Sequence, residues 1–170
     1  MNDIIKNSIH FIFLVLFQIL ILNNIELSSY LNPFLYVLFI LMLPFQTPKW
    51  LILILAFIIG VSIDMFSDTG GLHAAATVGM AFFRQPILNL IAPRDGYDVV
   101  HQPTIQQFGF AWFFSYAGIL VLIHHLFLFY LEAFHFSGFF FTFLRMLLSS
   151  LFTLTLIFIS QFFFSSNSKN

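Results

Sequence analysis

Cysteine is absent from this 170-residue chain. Disulfides, thiolate catalysis and cysteine-ligated metals or iron–sulfur clusters are therefore excluded. Charge is almost as scarce, with Asp, Glu, Lys and Arg making up only 8% of the residues. A net charge of −1 offers no basic surface for nucleic acid. In their place stands apolar bulk: 60% of the chain is hydrophobic, and the mean hydropathy is +0.97. A soluble domain needs far more charge to stay dissolved. A bilayer does not, and a helix spanning it needs roughly 20 mostly apolar residues. The chain reads as an integral membrane protein. Its 27 phenylalanines, with many Ile and Asn, look like drift from AT-rich coding rather than a functional signal. The N-terminus shows no small-residue cleavage site and is expected to be retained.

Polar breaks divide the chain into six expected spans in one membrane domain, 1–170, of all-α class: 9–25, 33–45, 50–65, 72–91, 110–134 and 139–164. Pro33 suits a first helical position and Pro44 ends the short second span. With six spans, Lys6, Lys49, Arg94 and Lys169 share one side, and Arg84 lies near it. Glu26, Asp64, Asp68 and Glu132 fall on the other, with Arg145 the exception inside the last span. Because Lys and Arg concentrate in cytoplasmic loops, both termini are expected in the cytoplasm.

The stretch "GVSIDMFSDTGGLHAAATVG" carries most of the chemistry. Residues four apart share a helix face. Ala56, Gly60 and Asp64 form one small stripe, and Gly71, Ala75 and Gly79 another, so close helix contact is expected between them. A carboxylate continuing such a stripe points into the bundle, because lipid makes a charge expensive. Asp68 or Thr69 is expected to cap the fourth span. Asp64 has three readings: a buried structural acceptor, a partner or ligand contact at the outer mouth, and a metal ligand with Asp68 and His73. The spacing matches no strong metal motif. On the structural reading, Asp64→Asn keeps most hydrogen bonds and is nearly silent.

These residues resemble a known family. "GVSIDMFSDTGGLHAAA" is similar to the G-x-x-x-D-x(6)-G-x-x-A signature of the rod shape-determining protein MreD family, and most similar to its Bacteroidota form. The likeness extends through "NPFLYVLFILMLPFQTPKWLILILAF", "LNLIAPRDGYD" and "HHLFLFYLEAF", nearly the whole chain. It sets Gly60, Asp64, Gly71 and Ala74 at the signature positions. It implies a non-enzymatic inner-membrane component of the cell-wall elongation machinery, guiding peptidoglycan synthesis and rod shape. The implied partner is MreC and, through it, MreB and the wall-synthesising glycosyltransferase–transpeptidase pair. The implied fold is similar to the substrate-binding subunits of energy-coupling-factor transporters, and no cofactor is implied. The loop at 92–109 is longer than in many relatives.

Other polar residues lie within the spans. His124 and His125 sit mid-span, with Glu132 two turns beyond His124, but no H-E-x-x-H pattern surrounds them. Neutral imidazoles bonded to Ser or Tyr hydroxyls are expected. Arg145 has Glu132 and Asp64 as possible partners. Ser149, Ser150 and Ser160 are expected to bond backbone or helix neighbours. No G-x-S-x-G or phosphate-cradling glycine motif occurs. "PRDGYD" reads as a turn, either a solvated connector or a cytoplasmic docking point. The rival reading is a solute-binding membrane subunit of a transporter, and an intramembrane hydrolase ranks below both.

Overall fold

A computed structural model describes residues 3–25, 31–94, 96–97, 102–133 and 138–166. Among these, every regular element is helical. The helices are α1 (Asp3–Leu20), α2 (Leu38–Leu41), α3 (Lys49–Ser67), α4 (Leu72–Leu90), α5 (Ile105–Phe108), α6 (Phe110–Ala133) and α7 (Phe139–Ser166). Short 3-10 turns at Leu22–Asn24 and Leu35–Val37 complete them. Asn7–Asn24, Lys49–Ser67, Phe110–Ala133 and Phe139–Phe162 are long and apolar enough to cross a membrane. Glu26, Asp95, Phe134, the expected 135–137 turn and Lys169 lie outside the described residues.

The burial pattern inverts that of a water-soluble protein. Phe57, Phe82, Phe140 and Leu151 point outward, whereas Gln18, Asp64, His73, Thr77, Arg84, His124, His125 and Thr153 are buried. Lipid tolerates the first group and penalises the second, so the polar side chains collect between helices. α4 follows the same logic. It is 19 residues long, about 28 Å at 1.5 Å per residue, yet it is absent from the four apolar stretches because it carries His73, Thr77, Arg84, Gln85 and Asn89. It packs closest against α3 and α6; His73, Thr77 and Arg84 are buried, whereas Asn89 is exposed.

The second expected span, 33–45, is not a continuous helix. Pro33 and Phe34 are non-helical, a 3-10 turn follows at Leu35–Val37, and α2 adds only Leu38–Leu41. Proline itself would allow a helix to begin here; instead Phe34 sits at φ −121° and ψ 76°, and Gln18 and Thr153 take the backbone groups around it. All residues from Pro33 to Leu41 are buried. The segment nevertheless runs the length of the bundle. At one end, Asn32 N–H donates to Ser149 Oγ of α7 (3.1 Å). At the other, Arg84 of α4 donates to Leu43 C=O. Asn23 Nδ2 donates to Ser67 Oγ (3.0 Å), setting the end of α1 beside the end of α3. The broken segment is thus the return strand of chain between two parallel helices.

Candidate functional site

Asp64 lies in the last turn of α3, 7% exposed. Its carboxylate accepts Thr69 Oγ1–H (2.5 Å) and His73 N–H (3.0 Å) on Oδ1, and Ala74 N–H (2.8 Å) on Oδ2. The first N–H groups of a helix have no partner within it. Gly71, the residue preceding α4, has no side chain to supply one. Asp64 therefore caps α4 from the neighbouring helix, where the helix dipole also favours negative charge. This corrects the expectation that Asp68 or Thr69 is the cap. Asp68 is exposed and takes a left-handed conformation, φ 54°, ending α3. Thr69 serves the cap by donating its hydroxyl to Asp64 and by accepting Leu72 N–H on its carbonyl (3.2 Å). Gly71, at φ +97°, sits where a side chain would be strained.

Only part of the expected small-residue seam forms. A Cβ on Gly60 would lie 2.4 Å from Ala74 Cα, so α3 and α4 touch backbone to backbone there. Ala75 faces outward instead, and Gly79 packs on the Phe127 ring of α6. The α4 stripe is thus displaced by one residue, from Ala75 to Ala74. The turn at Asp68–Gly71 sets this register, which spacing within each helix alone does not reveal. Asp64, Asp68 and His73 do not converge on a common point: the Asp64 oxygens and His73 Nδ1 are engaged elsewhere. Among the described residues no group of three or more His, Asp or Glu is arranged to hold a metal ion.

A second polar system holds the broken segment. Its backbone lacks a full helical ladder, and unmet backbone groups are costly where water is excluded. Side chains from the surrounding helices meet them. Gln18 of α1 donates to Pro33 C=O (2.9 Å) and accepts from Leu35 N–H (2.8 Å). Thr153 of α7 accepts from Phe34 N–H (3.0 Å). Tyr116 of α6 donates to Leu41 C=O (3.0 Å) and accepts from Arg84 Nε (2.9 Å). Arg84 is 1% exposed and, among the described residues, has no carboxylate partner. Its charge sits against the C-terminal carbonyls of this segment, where a cation is favoured.

At the centre, Tyr36 Oη lies 2.7 Å from His124 Nε2, 3.0 Å from His73 Nδ1 and 3.3 Å from Thr77 Oγ1. Thr77 spends its own proton on His73 C=O (2.6 Å). His124 Nδ1 is enclosed without a partner, and a buried unpaired N–H costs more than an unpaired lone pair. The His124 proton therefore belongs on Nε2, donated to Tyr36. Because Thr77 has spent its proton, Tyr36 donates to Thr77 Oγ1 and accepts from His73 Nδ1–H, which places the His73 proton on Nδ1. His125 Nδ1–H donates to Val121 C=O (2.9 Å) and its Nε2 accepts from Thr153 (3.2 Å). The histidines thus bond Tyr and Thr hydroxyls, as neutral rings within the bundle. Ser160 bonds Ile157 C=O (2.7 Å), Ser149 accepts from Asn32, and Ser150 Oγ is enclosed without a partner.

Arg145 pairs with Glu132 (3.1 Å) and lies 4.5 Å from the centroid of the Phe129 ring. With its amide oxygen turned toward Arg145, Asn32 accepts from Nε (3.2 Å) and Nη2 (2.9 Å). Arg145, Glu132 and Asn32 border a cavity of about 370 Å³ at the Asp64 end, whose wall includes Phe34, Leu72, His73 and Leu128. At the opposite end, Gly96 N–H closes a turn on Pro93 C=O (3.0 Å). Tyr97 donates to Leu88 C=O (2.8 Å) and stacks on Phe45, 4.5 Å between centroids. Burial raises its hydroxyl above the usual tyrosine value.

Spacing rules passed over Gln18, Tyr36, Arg84, Tyr116 and Thr153. The available signal was the polarity of single residues inside apolar runs, as with Gln18 in "FLVLFQILIL". Comparisons with protein families, characterised proteins and solved structures return no match to this chain.

Proposed function

We propose that the chain is a non-enzymatic membrane scaffold of the cell-wall elongation machinery, of the MreD type. It binds MreC in the bacterial inner membrane and, through it, acts with MreB and the wall-synthesising glycosyltransferase–transpeptidase pair. One observation carries this reading: the signature positions are one physical junction. Gly60 admits Ala74, Asp64 caps the helix through Ala74 N–H, and Gly71 supplies the left-handed entry. A spacing of G-x-x-x-D-x(6)-G-x-x-A is what such a junction requires. In this reading the bundle crosses six times, counting α4 and the broken segment, with both termini cytoplasmic. The buried polar groups serve backbone and ring partners, which supports a scaffold over a catalyst. Tagged chain solubilised in detergent is expected to retain MreC, and depletion to round rod-shaped cells. Retained shape with no MreC recovered overturns the proposal.

The cavity of about 370 Å³ favours a second reading, a solute-binding subunit of a transporter. A large thermal stabilisation by a single vitamin, without MreC recovery, selects it.

A further inference from the structure

The cavity at the Asp64 end is mainly polar, and Arg145 and Glu132 set one cation beside one anion on its lining. The cation keeps its place without the anion. Asn32 accepts from Arg145 Nε (3.2 Å) and Nη2 (2.9 Å), and the guanidinium lies 4.5 Å from the Phe129 centroid. Asn32 is itself tied to α7 through Ser149 Oγ. Glu132 is less constrained: among the described residues its carboxylate bonds only Arg145 Nη1 (3.1 Å). Both side chains are partly exposed, 31% for Arg145 and 42% for Glu132. An ion pair in that setting contributes little, so a ligand can part it at small cost.

Two further groups of the cavity are acceptors. His73 donates its Nδ1 proton to Tyr36, so Nε2 presents a lone pair. Asn24 Nδ2 donates to Ile19 C=O (2.9 Å) and Leu20 C=O (3.1 Å), which leaves Oδ1 as an acceptor. An ammonium brings three donors to such a set. A purely anionic ligand meets Glu132 and a purely cationic one meets Arg145, whereas a zwitterion satisfies both. Asn24 and Ser67 end two of the stretches long enough to cross a membrane, and both line the cavity. The site therefore lies at headgroup depth in a bilayer spanned by those stretches. We propose that this cavity binds an aminoethyl phosphodiester, on a phospholipid or as a soluble ester. The phosphate takes the guanidinium of Arg145, and the ammonium takes Glu132 and the neighbouring acceptors. This inference is independent of the scaffold reading, since recovery of MreC and occupancy of the cavity are separate measurements.

The test uses the purified full-length chain in detergent and follows its thermal unfolding. The probes are glycerophosphoethanolamine, glycerophosphocholine and glycerophosphoglycerol, and the dihexanoyl phospholipids with the same three headgroups. Ethanolamine probes should raise the midpoint in a saturable, concentration-dependent way. Choline has no N–H to donate and glycerol has no cation, so neither should match them. A shift with the soluble ester as well as the lipid bears out the proposal with either source. A shift confined to the lipid bears it out with the membrane as the source. Glu132→Gln alters only an exposed carboxylate. It should unfold at the wild-type midpoint without ligand and bind the ethanolamine headgroup at least tenfold more weakly. The proposal is overturned if no ethanolamine probe stabilises the chain, if the choline probes do so equally, or if Glu132→Gln binds as tightly as wild type.

Discussion

Every contact of Asp64 is with a donor, and that decides what a substitution does. Both oxygens accept, one from two donors and the other from Ala74 N–H. An asparagine offers one acceptor and turns an NH₂ toward an N–H. Asp64→Asn is therefore not silent, contrary to the expectation from sequence. It should lower stability by about 1–3 kcal/mol, seen as a lower unfolding midpoint in detergent and a reduced membrane yield. A midpoint equal to wild type would show that the cap contributes nothing. Asp68 behaves oppositely. Its left-handed backbone, φ 54°, suits glycine better than a side chain. Asp68→Gly should be neutral or slightly stabilising by the same assay, because the exposed carboxylate caps nothing.

At the level of helices, the two seam glycines face different neighbours. At Gly60 the obstacle is the Ala74 backbone at 2.4 Å, which only a shift of whole helices can relieve. At Gly79 it is the Phe127 ring at 3.1 Å, the movable end of a side chain. Gly60→Ala should thus destabilise by about 1–3 kcal/mol or more, and Gly79→Ala by clearly less. Equal unfolding midpoints for the two variants would contradict this packing. Gln18→Leu tests the broken segment, since it strands Pro33 C=O and Leu35 N–H together. A loss of about 1–3 kcal/mol for each group is expected, read from the same melts. These contrasts also mark where sequence reading stopped. The boundaries of α3, α6 and α7 follow apolar runs and polar breaks, so they were legible within a few residues. Asp64 on an inward face was legible too, through its four-residue spacing from Gly60. The register of α4 was not, because a turn with successive left-handed residues rotates the next helix by an amount no periodicity encodes. Nor was the break after Pro33, where buried apolar residues look the same in a helix and in an unwound segment.

For the molecule as a whole, orientation is the accessible prediction. Lys49 opens α3 and Arg94 follows α4 at one end, whereas Asp64, Asp68 and Glu132 lie at the other. Arg145 lies with the acids and is neutralised there by Glu132. Cytoplasmic loops collect Lys and Arg, so a reporter fused at the C-terminus should read as cytoplasmic and one inserted near residue 29 as external. An external C-terminus would require an odd number of crossings and remove either α4 or the broken segment from the count.

The borrowed hydrogen bonds of the broken segment impose an order on biogenesis. Its partners Gln18, Arg84, Tyr116 and Thr153 come from four helices, the last of them made at the end of synthesis. A nascent chain halted before α7 can insert its apolar helices, but it cannot yet satisfy Phe34 N–H or Asn32 N–H. If the chain crosses six times as proposed, Arg84 meanwhile waits in the bilayer, at about 2.5–3.5 kcal/mol by insertion scales, until Leu43 and Tyr116 reach it. The second segment is thus the last part to settle although it is among the first to be translated. A chain truncated after residue 133 should leave 31–43 open to protease in isolated membranes, and co-expressed 138–170 should close it again.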